Sequence, residues 1–337
     1  METDQSEEYS GIAFERIKGV HNVPEEELYT SGHRTCQGCE SALTMRDFIK
    51  VAGPRSVVIT ATGCMYVANT SYMTTPWIVP WMHTQLGASG SAAIGASAGM
   101  NSLMRKGKLK PEKVNVISVA GDLGGADMGL SAISRALQTD YNLLIILYDN
   151  ESAANTDIQA TSLTTWGAQT TFTPPGKKDR INKASMRWKK NVAAMLAVGH
   201  PNLKFIATSC ATYPPLDYMN KVRKALAAGG PTFIHTLDPC PKGWDYDPRY
   251  SHELGELAVK SGIFPLWEVT NGVLKYTYDA REKRIPAREY LEKQGRFAHF
   301  NERDFEYIQN TVDEMWEKWE VPGVLPLRLE TGVKISE

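Results

Sequence analysis

No stretch of this 337-residue chain is long and apolar enough to enter a membrane: the longest apolar runs, near 142–148 and 204–211, have the length of single strands. Charge of one sign is missing too, because 37 Lys and Arg face 38 Asp and Glu for a net charge of −1. Both signs are interspersed, which points away from nucleic acid and from a membrane surface. The N-terminus, Met1 to Glu8, is acidic and lacks the basic start and apolar centre of a secretory signal. No internal repeat or low-complexity tract is present. Cysteine is scarce, five in all. The first pair, Cys36-Gln37-Gly38-Cys39, is followed by no helix-borne histidine pair and framed by no early β-α-β pattern, which lowers the zinc-finger and thioredoxin readings. Thiols kept for iron rather than for disulfides suit a reducing compartment, so a cytoplasmic location is expected.

What the chain does have begins with the setting of its cysteines. Cys36 and Cys39 form a C-x-x-C pair, Cys64 sits in Thr62-Gly63-Cys64, and Cys240 lies between prolines in Asp238-Pro239-Cys240-Pro241. A [4Fe–4S] cube needs four thiolates converging on one small volume, and glycine and proline permit the tight turns that aim them. Composition alone would make Cys64 and Cys240 two buried apolar thiols. The cluster reading therefore needs a second chemical signature.

That signature starts at Gly121. Val114 to Ala120 is an apolar, β-branched run that reads as a buried strand closed by Gly121-Asp122. A glycine-rich turn, Gly124-Gly125-Ala126-Asp127-Met128-Gly129, opens into a helix with apolar positions at 130, 133, 136 and 137. A second strand, Leu143 to Tyr148, ends in Asp149-Asn150. Strand, turn, helix and strand make a parallel α/β unit, which puts Asp122 and Asn150 at carboxyl ends of strands. Glycines at a helix N-terminus offer N–H groups to a phosphate. A carboxylate and an amide oxygen beside a diphosphate make an oxygen-rich site for Mg²⁺. An ordinary α/β crossover without a nucleotide would share the glycine turn.

The spacing resembles the thiamine diphosphate motif, and the resemblance widens along the chain. Ser31 to Cys39, Ala61 to Cys64, Val79-Pro80-Trp81-Met82-His83, Gly121-Asp122, Asp149-Asn150-Glu151, Asn155-Thr156, Pro239 to Trp244 and Gln294-Gly295-Arg296-Phe297 follow in that order. Together they resemble the β subunit of 2-oxoacid:ferredoxin oxidoreductases, nearest the pyruvate branch, from about Gly19 to Trp319. The resemblance implies an α/β fold of the thiamine diphosphate-binding (diphosphate-domain) type: a doubly wound, mostly parallel sheet with helices on both faces, plus a C-terminal extension. It implies thiamine diphosphate, Mg²⁺ and one [4Fe–4S] cluster as cofactors. Cys36, Cys39, Cys64 and Cys240 match the cluster ligands. Asp122 and Asn150 match the side-chain Mg²⁺ ligands, and the backbone carbonyl of Ser152 matches the third. Gly121, Gly124 and Gly125 match the diphosphate turn, and Asn155 a polar group at the cofactor's reactive end. His83, in a segment the family places near the active site, is a second catalytic candidate beside Asn155. Cys210 has no counterpart and reads as a small core residue.

Such an enzyme decarboxylates a 2-oxoacid oxidatively, passes electrons singly to the cluster, and hands the acyl group to coenzyme A. The chain carries only the diphosphate half of a thiamine site, so the resemblance implies a pyrimidine-domain (alpha) partner, gamma- and delta-type subunits, and ferredoxin or another electron acceptor. Pyruvate is the default substrate, with phenylglyoxylate and oxalate as alternatives. Leu123 stands where the family usually has glycine, Glu40 where it has the glycine of C-x-G-C-G, and Asp157 where pyruvate enzymes carry Asn-Thr-Gly. Gln85 to Ser91 replaces the usual Phe-Glu-Asn. Two competing readings remain: a thiamine decarboxylase or synthase subunit without redox output, and an electron-relay iron–sulfur subunit.

Three regions are expected: a polar N-terminal arm over 1–30, the thiamine and cluster domain over 31–245, and a C-terminal extension over 246–337. Strands are expected near 56–60, 114–120, 143–148, 204–209 and 232–237, and helices near 90–106, 128–138, 185–197, 214–228 and 252–260. Between 150 and 183 runs a long polar stretch, read as functional. After 260 comes an irregular charged stretch, then an amphipathic helix from Glu302 to Glu320 with Phe305, Ile308, Val312, Met315, Trp316 and Trp319 as its apolar stripe. His33 is expected to order the turn before the cluster, and Arg34 and Arg187 to lie on solvated surface.

Overall fold

The computed structural model describes residues 11–70, 74–174, 187–281 and 283–318. Its centre is one eight-stranded sheet. In chain order the elements are α1 (Glu40–Ala52), β1 (Ser56–Ala61), α2 (Cys64–Val67), β2 (Trp81–Thr84), α3 (Ser89–Arg105), β3 (Asn115–Gly121), α4 (Leu130–Leu137) and β4 (Leu143–Asp149). Then follow α5 (Val192–Gly199), β5 (Phe205–Cys210), α6 (Asp217–Ala227), β6 (Thr232–Leu237), α7 (Pro241–Trp244), α8 (Ser251–Lys260), β7 (Leu266–Thr270), β8 (Val273–Tyr278), α9 (Ala287–Leu291) and α10 (Glu302–Lys318). The sheet order is β2-β1-β3-β4-β6-β5-β7-β8. The first six strands run parallel, whereas β7 and β8 join antiparallel.

The continuous apolar strands follow from burial on both faces. Leu144 and Ile146 face α1 and α6, meeting Phe48, Ile49, Tyr218 and Val222. Leu143, Ile145 and Leu147 face α3, α4 and α5, meeting Ala93, Ile133, Leu137 and Leu196. A third apolar cluster joins α7, α8, α9 and α10 to the ends of β5, β6 and β7 through Trp244, Leu254, Leu266, Tyr290, Ile308 and Trp316. The apolar stripe of α10 thus packs inside this chain, and Trp316 donates to the Gly262 carbonyl at 3.0 Å. Trp319 lies outside the described residues.

Several expectations need correction. The charged stretch after 260 is not irregular, because β7 pairs with β5 and extends the same sheet. Helix α1 and the short strand β2 were not anticipated. Helix α5 begins at Val192, where Asn191 Oδ1 accepts the Ala194 N–H at 3.0 Å; residues 185 and 186 lie outside the described set. Helix α6 begins only at Asp217, because Leu216 is left-handed at φ 66°. From residue 11, the N-terminal arm packs on its own chain: Ile17 N–H and C=O both bond the Asn220 amide, at 2.8 and 3.1 Å. Among the described residues no helix is long and apolar enough to cross a membrane.

Asp47 on α1 is buried, and burial pushes its carboxyl up to about 7 despite the nearby Arg46 and Lys50. The folded chain therefore keeps a proton there that the unfolded chain has already released above about pH 4. Between those values the native state binds the extra proton, so this group's contribution to stability falls as pH rises. Asp47→Asn should match the wild type near pH 4 in denaturant titrations and exceed it near pH 8. The gap should open by at most about 1.4 kcal/mol per pH unit. A gap that stays constant across that range would show that Asp47 does not titrate this way.

Candidate functional site

The carboxyl ends of β1, β3 and β4 meet around a cavity of about 100 Å³. Its wall includes Thr62, Gly63 and Cys64 after β1, Gly121 to Gly124 after β3, and Tyr148, Asn150, Ser152 and Asn155 after β4. The β3–β4 register pairs Gly121 with Tyr148, and just past the strand ends Asp122 comes to stand beside Asn150. Asp122 Oδ1 accepts the Asn150 N–H at 3.1 Å, and Oδ2 accepts the Thr161 hydroxyl at 3.3 Å. Among the described residues, Asn150 Oδ1 and the Ser152 hydroxyl are buried without a hydrogen-bond partner. Burial, and then the charge of Asp149, push the Asp122 carboxyl well above its ordinary value. Unpartnered oxygens and a buried carboxylate on one small volume suit a divalent cation.

Glycine serves two purposes here. A Cβ on Gly121 would reach the Tyr148 ring at 2.8 Å, and one on Gly124 would reach the Leu86 carbonyl at 2.8 Å. Both close approaches keep the cavity wall at backbone level. Gly125 faces away, towards Leu147, and does not line the cavity. The turn is also not the first turn of α4: Leu123 to Asp127 form a π-helical turn, closed by Met128 N–H to the Leu123 carbonyl at 2.8 Å. Leu123 has no left-handed backbone, so a side chain fits where glycine is usual.

Beneath this wall lies an ion network that sequence reasoning missed. Lys189 Nζ stands 2.6 Å from Asp149 and 2.7 Å from Glu151, and Arg296 Nη2 stands 2.6 Å from Glu151. His235 Nε2 lies 2.8 Å from Asp149. Burial opposes charge on Asp149 and Glu151, yet the Lys189 ammonium, with His235 at Asp149 and Arg296 at Glu151, holds both carboxyls below their usual range. Thr164 and Thr165 anchor the following loop by donating to the Glu151 carbonyl at 2.8 Å and its carboxylate at 2.7 Å. The hydroxyls of the polar stretch after 150 thus fasten it to the site. The signal available in the sequence is the motif Gln294-Gly295-Arg296-Phe297.

Of the four cysteines, Cys64 alone lies on this wall. Cys64 lines the cavity, while Cys36 and Cys39 line an adjoining hollow. Cys240 Sγ accepts the Gly243 N–H at 3.3 Å. Burial pushes the Cys64 thiol up to about 12 and Cys240 up to about 11, and raises Cys39 further. After burial, the cysteines raise one another: Cys240 acts on Cys39 and Cys64, and Cys36 on Cys64 and Cys240. Asp122 also acts on Cys64 and Cys240. Such thiols carry charge readily only when iron compensates it, which suits a cluster. Among the described residues, no three His, Cys, Asp or Glu side chains are drawn close enough to hold an ion. Cys210 is buried elsewhere, 3.1 Å from the Thr212 hydroxyl.

Asn155 sits exposed at the tip of a closed loop whose ends bond through Ala153 N–H and the Gln159 carbonyl at 2.9 Å. His83 lies on β2 and is not part of the cavity wall. It reaches the wall through Thr62, whose hydroxyl is 2.7 Å from Nε2, and stacks on Tyr66 with centroids 3.5 Å apart. His33 stacks on Tyr29 and meets the Thr35 hydroxyl at 2.8 Å, just before Cys36. In the Asn155 loop, Asp157 and Ile158 are left-handed, at φ 87° and 64°. A residue with a Cβ in that region costs about 1–2 kcal/mol, which glycine avoids. Asp157→Gly should therefore not lower the midpoint of thermal unfolding, and should raise stability by up to about 1 kcal/mol. A loss above about 1 kcal/mol would mean that the Asp157 side chain holds the loop.

A model of the thiamine pyrophosphate enzyme family, its C-terminal TPP binding domain, matches residues 61–236. The pyruvate synthase subunit PorB of Methanocaldococcus jannaschii is 43% identical over 296 residues, covering 88% of this chain and 97% of the relative. The ketoisovalerate oxidoreductase subunit VorB of Pyrococcus horikoshii is 34% identical over 305 residues, covering 90% and 96%. A solved 2-oxoglutarate:ferredoxin oxidoreductase from Magnetococcus marinus, with 2-oxoglutarate, coenzyme A and succinyl-CoA bound, aligns at a TM-score of 0.54. That alignment covers 87% of this chain and 99% of the other at 16% identity, a likeness of fold. By domain and by relatives of nearly equal length, the chain belongs to the thiamine-binding β-subunit family of 2-oxoacid:ferredoxin oxidoreductases.

Proposed function

We propose that this chain is the β subunit of a coenzyme A-dependent 2-oxoacid oxidoreductase and provides half of a thiamine diphosphate site next to a [4Fe–4S] cluster. The observation that carries this reading is the cavity where Asp122, the unpartnered Asn150 oxygen and Ser152 share a wall with Cys64. When bound, thiamine diphosphate supplies carbanion chemistry at the 2-oxo carbon, and the cluster takes electrons one at a time. In this reading Asp122, Asn150 and the Ser152 carbonyl hold Mg²⁺ against the diphosphate, and the bare backbone at Gly121 and Gly124 lets the phosphates approach. Asn155 presents its amide to the reactive end, and Thr62, held by His83, completes the wall beside it. Cys36, Cys39, Cys64 and Cys240 hold the iron. The substrate is a 2-oxoacid of the size class taken by the relatives, pyruvate or a branched-chain homologue. A pyrimidine-domain subunit supplies the remaining half of the site, with further subunits or ferredoxin taking the electrons.

Three tests bear on this reading. Asp122→Asn leaves a divalent ion and an anionic diphosphate short of one charged ligand. That variant should purify with its iron intact and little thiamine, and excess Mg²⁺ should restore binding only partly; normal thiamine content would remove Asp122 from the site. Cys64→Ser should lose the cluster's absorption and reduced-state EPR signal, whereas Cys210→Ser should keep both. Expressed alone, the chain should give no 2-oxoacid-dependent viologen reduction, and adding the pyrimidine-domain subunit should restore it. Turnover by the lone chain would end the half-site reading.

A further inference from the structure

We propose that Arg296 is a positioning residue that serves both parts of the centre, fixing the backbone at Asn150 and placing a buried positive charge behind the Cys240 turn. The inference rests on the functional reading above. Arg296 is 4% exposed, and its guanidinium has three separate commitments. Nη2 pairs with Glu151 at 2.6 Å, Nε donates to Gln294 Oε1 at 2.9 Å, and the plane lies 4.2 Å from the Trp244 ring centroid. Trp244 is fully buried and donates its Nε1–H to the Asn150 carbonyl at 2.9 Å. Arg296 therefore grips the strand end from two directions: through Trp244 onto residue 150, and directly onto residue 151. The Asn150 side chain, whose oxygen has no hydrogen-bond partner among the described residues, gains its fixed direction from these backbone restraints.

The same side chain faces the cluster turn. Trp244 closes α7 by donating its backbone N–H to the Cys240 carbonyl at 2.9 Å, so the ring under Arg296 belongs to the four-residue helix that Cys240 caps. A cluster gains one negative charge on reduction, and a buried cation nearby stabilises that form and raises the potential. A planar fork meets the stacking and the pairing together, which a lysine ammonium cannot do. Lysine would retain the charge and lose the stacked geometry.

The test uses the assembled, anaerobically purified enzyme with wild-type chain, Arg296→Gln or Arg296→Lys. The measurements are iron content, the cluster midpoint potential by EPR-monitored titration, and the dissociation constant of thiamine diphosphate with Mg²⁺. Arg296→Gln should disfavour cluster reduction about tenfold, a fall of about 59 mV for one electron, and should weaken thiamine binding about tenfold. Arg296→Lys should keep the wild-type potential and still weaken thiamine binding. That split separates charge from placement, which a merely structural role would not. Unchanged potential and unchanged binding in an iron-replete Arg296→Gln enzyme would overturn the inference. If the Gln variant fails to fold, full-strength thiamine binding by Arg296→Lys would overturn it instead. A wild-type enzyme with neither iron nor thiamine would overturn the functional reading and, with it, this inference.

Discussion

The whole site depends on one in-register parallel pairing, β3 against β4. Gly121 lies opposite Tyr148, so β3 ends one step before β4 and Asp122 can accept the Asn150 N–H just past the end of β4. A shift of one residue would turn every β4 side chain to the opposite face and carry Asn150 away from Asp122. That register is protected by burial on both sides. Leu144 and Ile146 on one face, and Leu143, Ile145 and Leu147 on the other, would all have to leave close-packed partners. Sheet order does the rest. The chain leaves β1 for the edge strand β2 and returns past β1 to β3, the kind of switch point where open α/β sheets bind ligands.

The legible parts of the sequence were those in which a single physical signal dominates. A doubly covered parallel strand reads as an unbroken apolar run, which is why Leu143 to Tyr148 stood out. Helix α1 was obscured because its buried face includes Glu40, Ser41, Thr44 and Asp47, which break the apolar period. Strand β2 is short and leaves Met82 and His83 exposed at the sheet edge. Strands β7 and β8 hide among charges because Glu268 and Lys275 sit opposite each other on the outermost pair. Within the site, Asp122, Asn150 and Cys64 could be named because glycine and strand ends mark them locally. Lys189 and Arg296 could not, since they reach Glu151 from 38 residues away and from the third apolar cluster's side of the sheet.

The Asp149–Lys189–Glu151–Arg296 network is better understood as a geometric device than as a source of stability. Removing charges from water costs several kcal/mol per ion, and pairing offsets that cost only when the geometry is good. Here two carboxylates and two cations alternate, and threonine hydroxyls take up further lone pairs on Glu151. What the network secures is orientation. Glu151 holds a left-handed backbone at φ 62°, an unusual conformation for a residue with a side chain. Its neighbour Asn150 is thereby aimed into the cavity, while Asp149 is turned below it.

This arrangement also accounts for the charge preferences of the groups above the network. Lys189 and Arg296 pair with Asp149 and Glu151 and only partly offset the burial of Asp122 and Cys240 above them. Burial raises Asp122, Cys39, Cys64 and Cys240, with Asp149 adding to Asp122 and the cysteines adding to one another. Donors that resist ionisation in isolation release protons when a cation arrives, so ligand binding and charge compensation become one event. In the proposed reading the divalent ion satisfies Asp122 and the iron satisfies the thiolates. Because Cys64 lines the cavity beside Asp122, and Asp122 raises it, compensating one of these donors in that reading lowers the electrostatic cost of charging the other. A carboxylate and a thiol that share one cavity wall would therefore couple cofactor binding to cluster assembly through charge alone.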